Sequence, residues 1–191
     1  MTVARRRRCP LAARASAKLT ARLSPGETLG DRVLRVDHGA VCVYRAQRRL
    51  ARWTAPDLIP EIDDFIAHEM RHRALFAAEL AQRSQPRCLS YPICAALGTL
   101  LGTITGLLGS HAIAATTVAI ERVVLRHMAA QIDALAASDP GAATLLRAIL
   151  VEEREHHDRS AAHLSSGGLQ RLIDAGVASA TEAVIWIGMH R

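Results

Sequence analysis

"AILVEEREHHDRSAAHL", residues 148–164, sets Glu152, Glu153, Glu155 and Asp158 beside His156, His157 and His163 in a stretch that otherwise reads as helix. A helix that only meets water has no need of adjacent imidazoles behind a carboxylate. Glu153 and His156 are three residues apart, which on an α-helix puts them about 60° apart on one face, where both can reach a single ion. The pattern occurs once more, as Glu69 and His72 in "HEMRHRALF", residues 68–76. One such pair arises readily on a solvated face. Two on separate helices read as a metal site, provided two further helices each add a carboxylate.

The sequence offers both. Glu121 follows an apolar run in "TTVAIERVV", where an unpaired carboxylate is costly. Asp37 sits early in the first predicted helix. Asp37 to Glu69 and Glu121 to Glu153 are both 32 residues, so the first set recurs 84 positions later, as two helical hairpins related by an approximate two-fold would have it. The expected fold is all-α: a ferritin-like four-helix bundle with two accessory helices, one of them membrane-interfacial. Asp37, Glu69, His72, Glu121, Glu153 and His156 are its expected metal ligands. His68, His111, His157 and His163 are expected as supporting, surface or core histidines, and Asp158 as a carboxylate able to orient an imidazole. Oxygen-rich ligation with two imidazoles and no thiolate suits iron or manganese better than structural zinc. Two iron(II) ions can share the electrons that reduce O2, so oxidase or oxygenase chemistry is expected.

The remaining sequence divides around these motifs. Thr28 and Asp31 form an approximate capping box for a helix running to about Trp53. "TAPDLIPE" breaks the chain before a second helix over about 60–82, and "RSQPRCLSYP" ends that one. A fourth helix is predicted over about 113–137, stopped by "SDPG". The fifth, over about 142–164, carries the opening motif and closes at "SSGG"; a last amphipathic helix follows. From Cys88 to Ile120 there is no Asp, Glu, Lys or Arg, a run of 33 residues interrupted by Gly98, Gly102, Gly106 and Gly109. These glycines and the break at "LLGSHA" are expected to split the run, which favours a buried or membrane-lying helix over a spanning one.

Half of the 191 residues are hydrophobic, yet Trp, Tyr and Phe number two each, a composition suited to packed helices and not to strands. The net charge of +6 belongs to one end: residues 1–26 hold seven basic residues and no acidic one, which leaves the remainder at −1. Residues 1–28 are therefore expected as a basic, disordered tail ahead of one domain over 29–191. Nucleic-acid binding is not expected, because the domain has neither a basic stripe nor aromatic residues for stacking. The tail suits either an arm on anionic lipid or a mitochondrial presequence, and no secretory apolar region follows the arginines. Cys9, Cys42, Cys88 and Cys94 show no CxxC pairing and read as free thiols in a reducing compartment.

Taken in order, "LRVDH" with "GAVCVYRAQ", "HEMRHRALF", "LGTLLGTITGLLG" ahead of "AIAATTVAIERVVLRHMAAQI", and "EEREHHD" resemble the demethoxyubiquinone hydroxylase family, the ferritin-like di-iron monooxygenases of ubiquinone biosynthesis. The pieces span about residues 30–165. The resemblance implies a 3-demethoxyubiquinol 6-hydroxylase-type monooxygenase with two Fe2+ ions. Its substrates would be a polyprenyl quinol and O2, met at a membrane surface. It places Glu69, His72, Glu121, Glu153 and His156 on the family's ligand positions. The sixth differs. Family members read "RVDHAGExGA" where this chain reads "RVDHGA", so matching "RVDH" deletes the ligand glutamate and matching "GA" puts Asp37 in its place. His127 matches a family histidine that implies an active-site hydrogen-bonding group, and Met128 stands where a tyrosine is common. Expected surroundings are the cytoplasmic side of a bacterial cell membrane, or alternatively the matrix side of the mitochondrial inner membrane, with a homo-oligomer or a ubiquinone-biosynthesis complex as partner. Two alternative functions are a catalytically impaired relative that binds quinone or acts as a scaffold, motivated by the shortened first motif, and a ferritin-type ferroxidase.

Overall fold

A computed structural model describes residues 27–36, 40–85, 91–164 and 168–190. The described residues form seven α-helices and no strand: α1 (Leu29–Val36), α2 (Ala40–Thr54), α3 (Ile59–Gln82), α4 (Tyr91–Leu107), α5 (Ser110–Leu135), α6 (Pro140–Ala161) and α7 (Gly168–His190). Of the tail expected over 1–28, residues 1–26 lie outside the described residues, as do Asp37 and Cys88, whereas Glu27 pairs with Arg32 and Thr28 with Asp31; Cys42 and Cys94 are free thiols.

Local chemistry explains the helix starts. Thr28 N–H donates to Asp31 Oδ2 at 2.9 Å and Asp31 N–H to Thr28 Oγ1 at 3.1 Å, the reciprocal box expected from the sequence. The Asp139 carboxylate accepts from Ala142 N–H, and Pro140 fills the first turn of α6. The first predicted helix is described as two segments, α1 and α2, on either side of residues 37–39.

Four helices make the bundle. α2 packs against α3, α5 against α6, and α3 faces α6 across the middle; α4 lies outside against α2, and α7 outside against α5. α3 and α6 each bury one main stripe. On α3 it is Ile62, Phe65, Glu69, His72, Phe76 and Leu80, and on α6 Leu146, Ile149, Glu153, His156 and Ser160. The steps of three and four keep every member on one face. Charged groups thus occupy core positions in mid-helix. Two apolar clusters flank them: Tyr44, Leu58, Ile62, Phe65 and Ile113 at one end, and Leu34, Phe76, Leu80, Leu135, Leu146 and Ile149 at the other.

The uncharged run corrects one expectation. Gly98, Gly102 and Gly106 do not interrupt it; they lie inside a continuous α4. A Cβ added to Gly102 would come within 2.2 Å of the Val43 carbonyl oxygen, and one on Gly106 within 3.1 Å of Gln47 Cα. These glycines let two helix backbones approach closely, much as small residues do in other tight helix pairs. Gly109 alone marks the break, with a φ of 87° that favours glycine. No described helix is long and apolar enough to cross a membrane.

Candidate metal centre

Glu69 on α3, Glu121 on α5, and Glu153 and His156 on α6 bring one donor atom each within 4.8 Å of one another, all four buried. His72 joins them: its Nδ1 is 3.1 Å from Glu153 Oε1, while His156 Nδ1 is 3.2 Å from Glu153 Oε2. Glu153 therefore turns one oxygen to each imidazole. Five of the six sequence-predicted ligands meet, and Asp37 lies outside the described residues.

The donor set fits a metal. Three carboxylates gathered in a core repel one another, and burial makes each charge costly unless a cation offsets it. Glu153 Oε2 and His156 Nδ1 are buried and make no hydrogen bond of good geometry, although 3.2 Å apart. Burial opposes the charge of Glu153, but the neighbouring imidazoles outweigh it and hold the carboxyl at about 2. A carboxylate that stays ionised in the core is suited to meet a cation.

The far side of each ring is occupied. His72 Nε2 lies 2.7 Å from Glu152 Oε2, on which Arg71 also sits at 2.6 Å. Partial burial opposes the Glu152 charge, and Arg71 and His72 hold its carboxyl below the ordinary range. His156 Nε2 meets His68 Nδ1 at 2.9 Å, and Phe65 packs against the His156 ring with centroids 4.3 Å apart. Both ligand histidines thus present Nδ1 inward.

Tyr44 is the functional residue that the sequence reading missed. From α2 its hydroxyl donates to Glu121 Oε1 at 2.6 Å. Burial first, then the charges of Glu121 and Glu69, push its pKa well above the usual phenol range, so it remains a donor. The available signal was its place in the sequence, seven residues after Asp37, a spacing that returns to about one face in the continuous helix predicted there. His127 stands elsewhere. It pairs with Glu182 of α7 at 2.8 Å and lines a small apolar cavity of about 70 Å³ with Phe76, Met128 and Leu146. Asp158 orients His157, at 2.9 Å, and neither ligand imidazole; His163 pairs with Glu61 at the surface, and His111 is half-buried in the first turn of α5.

Residues 28–188 match the family described as ubiquinone biosynthesis protein COQ7. The chain belongs to this family. A mouse relative, NADPH-dependent 3-demethoxyubiquinone 3-hydroxylase, mitochondrial, is 32% identical over 164 residues, covering 78% of this chain and 74% of its own. The 3-demethoxyubiquinol 3-hydroxylase of Rhodospirillum rubrum is 35% identical over 133 residues, 67% of this chain and 62% of that one. The human mitochondrial enzyme of the same name as the mouse one is 34% identical, again over 67% and 62%. The COQ7 match covers all seven helices but for the last residues of α7.

Proposed function

We propose that the chain is a di-iron monooxygenase that hydroxylates the ring of a demethoxyubiquinol-type intermediate with O2. The observation that carries this is the convergence of Glu69, Glu121, Glu153 and His156 within 4.8 Å in the core of a COQ7-family bundle, with His72 beside them. Glu69, His72, Glu121, Glu153 and His156, with Asp37 as the sixth ligand, would hold two iron ions. Iron held there supplies the reduction of O2, by which one oxygen atom enters the ring and the other leaves as water. The two electrons beyond those of the substrate are assigned to NADPH, on the names of the mouse and human relatives. Those names print position 3 for the ring carbon, and the position 6 expected from the sequence finds no support in them.

The chain's own residues do the remaining work. Tyr44 fixes Glu121; Glu152 and His68 fix the two imidazoles; Phe65 and Ile62 on one side and Phe76 on the other keep water from the centre. A water-poor centre protects reactive oxygen chemistry from side reactions.

A hydrophobic quinol is best taken from lipid, and α4 offers the surface. While its glycine face packs on α2, Ile93, Leu97, Leu100, Ile104 and Leu107 are 47–61% exposed along the opposite face. An apolar stripe of that length marks an interaction surface. We assign it to the membrane interface, at the cytoplasmic face of a bacterial membrane or the matrix face of the mitochondrial inner membrane. The impaired-relative reading is not favoured, since the donors converge despite the shortened first motif.

Complementation of a strain that accumulates demethoxyubiquinone is the test. Restored ubiquinone with the wild-type chain, lost with Glu153→Ala, is the expected result; accumulation unchanged by an expressed, folded wild-type chain would sink the proposal. For Asp37, iron near two per chain that persists in Asp37→Ala would remove that residue from the ligand set.

A further inference from the structure

On both ligand helices of the centre's middle, the residue just before the ligand glutamate crosses to the other helix's imidazole. Position 152, ahead of Glu153 on α6, sends a carboxylate to His72 Nε2 at 2.7 Å. Position 68, ahead of Glu69 on α3 and 84 residues earlier, sends an imidazole to His156 Nε2 at 2.9 Å. The His68 and His156 rings are stacked, 21° apart in plane and 5.1 Å between centroids. Glu69 and Glu153 are separated by the same 84 residues, so the two positions correspond in sequence and differ in chemistry.

A neutral imidazole donates at one nitrogen and accepts at the other. When His156 Nδ1 is given to an ion, its proton stands on Nε2 and is donated to His68 Nδ1. His68 then carries its own proton on Nε2, which faces Asp64 Oδ1 at 3.5 Å. Arg159 holds Asp64 in turn, at 2.5 Å. His72 instead donates directly to the Glu152 carboxylate, which Arg71 shares from the solvent side. A carboxylate partner draws an imidazole toward imidazolate and makes its free nitrogen a stronger metal donor; a neutral imidazole does this less.

From this asymmetry we infer that His68 is a positioning residue that makes the His156 side of the centre the weaker of two unequal metal positions, so that the His72 side fills first. The inference rests on the metal-centre reading above and goes beyond it in fixing the order of loading. His68 acts through His156 and touches neither substrate nor ion.

The test is anaerobic titration of the purified full chain with Fe(II) against a competing chelator, with circular dichroism on every variant. The wild type should bind in two resolved steps. His68→Glu, which makes position 68 match position 152, should strengthen the weaker step by about tenfold and leave the stronger one unchanged within about twofold. His68→Leu, which deprives the His156 Nε2–H of its acceptor, should weaken the same step by about 10- to 100-fold, and His68→Gln, which keeps an acceptor, should restore it to within about threefold of wild type. A purely structural role would move both steps together. Should His68→Leu not fold, the Glu and Gln variants still decide the matter. Two equal steps in the wild type, or a weaker step untouched by His68→Glu, overturns the role of His68 and leaves the metal centre standing. A wild-type chain that takes up no Fe(II) overturns both.

Discussion

The α2–α3 hairpin and the α5–α6 hairpin both send carboxylates to the centre but surround them differently. Tyr44 on α2 donates a hydroxyl into the centre; its counterpart 84 positions later is Met128 on α5, buried among apolar side chains beside a small cavity. The first hairpin is braced from outside by α4 through glycines at backbone contact, the second by α7, where Gly176 has nothing within 4 Å of an added Cβ. α6 begins on a side-chain cap and α3 on none. The difference teaches that two hairpins can bring carboxylates to one place while each surrounds them in its own way. Away from that place each half has its own packing.

The ligands themselves should show the symmetry most strongly. Glu69→Ala and Glu153→Ala remove corresponding carboxylates, and each should lower quinol hydroxylation by more than about 100-fold, beyond the range for residues that merely support a ligand. Iron content should fall with activity in both. If one of them kept full iron and activity, the two hairpins would not share the centre equally. The shell around the ligands should instead be lopsided. Tyr44→Phe removes the hydroxyl bond to Glu121 Oε1 and should cost about 1.5–3 kcal/mol of stability in chemical denaturation, as a bond to a charged group does. Met128→Leu, a volume-conserving change at the corresponding position, should cost less than about 1.5 kcal/mol. Equal losses would mean that Tyr44 contributes packing alone.

What could be read in advance follows the same division. Glu69, His72, Glu153 and His156 were legible as a cluster because a metal demands particular donor types and a helix sets residues three apart on one face, and Glu121 because a carboxylate in an apolar run needs a partner. The helix spans were legible from Pro, Gly and the Thr28–Asp31 box. Tyr44 was not, since a lone tyrosine in a helical stripe is ordinary core until a carboxylate from 77 residues away is seen to meet it. The His68–His156 and Glu152–His72 crossings were hidden for the same reason: they run between helices, and no spacing within one helix announces them. The α4 glycines were misread as breaks because sequence gives their conformational cost but not the backbone of α2 lying against them.

Those glycines separate the two accessory helices experimentally. Gly102→Ala should destabilise the fold by about 1–3 kcal/mol, since Val43 carbonyl backbone and not a flexible side-chain tip lies where the methyl must go. Gly176→Ala, on α7 in open space, should stabilise by about 0.5–1 kcal/mol through helix propensity alone. Thermal unfolding of the two variants should therefore shift in opposite directions. Shifts of the same sign would mean that α4 is not held at backbone contact.

An effect of similar small size lies at the starts of the two central helices. Asp139 caps α6 and also accepts from Arg83 at 2.5 Å, tying the end of α3 to the start of its counterpart; Glu79 and Asp31 share the same guanidinium. Hydrogen bonding from Arg83, against some desolvation, lowers the Asp139 carboxyl from its ordinary 3.8, and Asp139 in turn raises the Arg83 pKa. A carboxyl lowered in the folded state adds stability that is complete above its unfolded value, and this is lost as pH falls through the folded one. Asp139→Ala should accordingly cost about 1 kcal/mol at neutral pH, the usual worth of a helix cap. The gap to wild type should close below about pH 3.8, where the native carboxyl also takes up its proton. Because α3 starts without a side-chain cap, no corresponding acid-sensitive increment exists at Leu58. A gap that stayed constant down to acid would assign the loss to packing at the α5–α6 corner and not to the charge of Asp139.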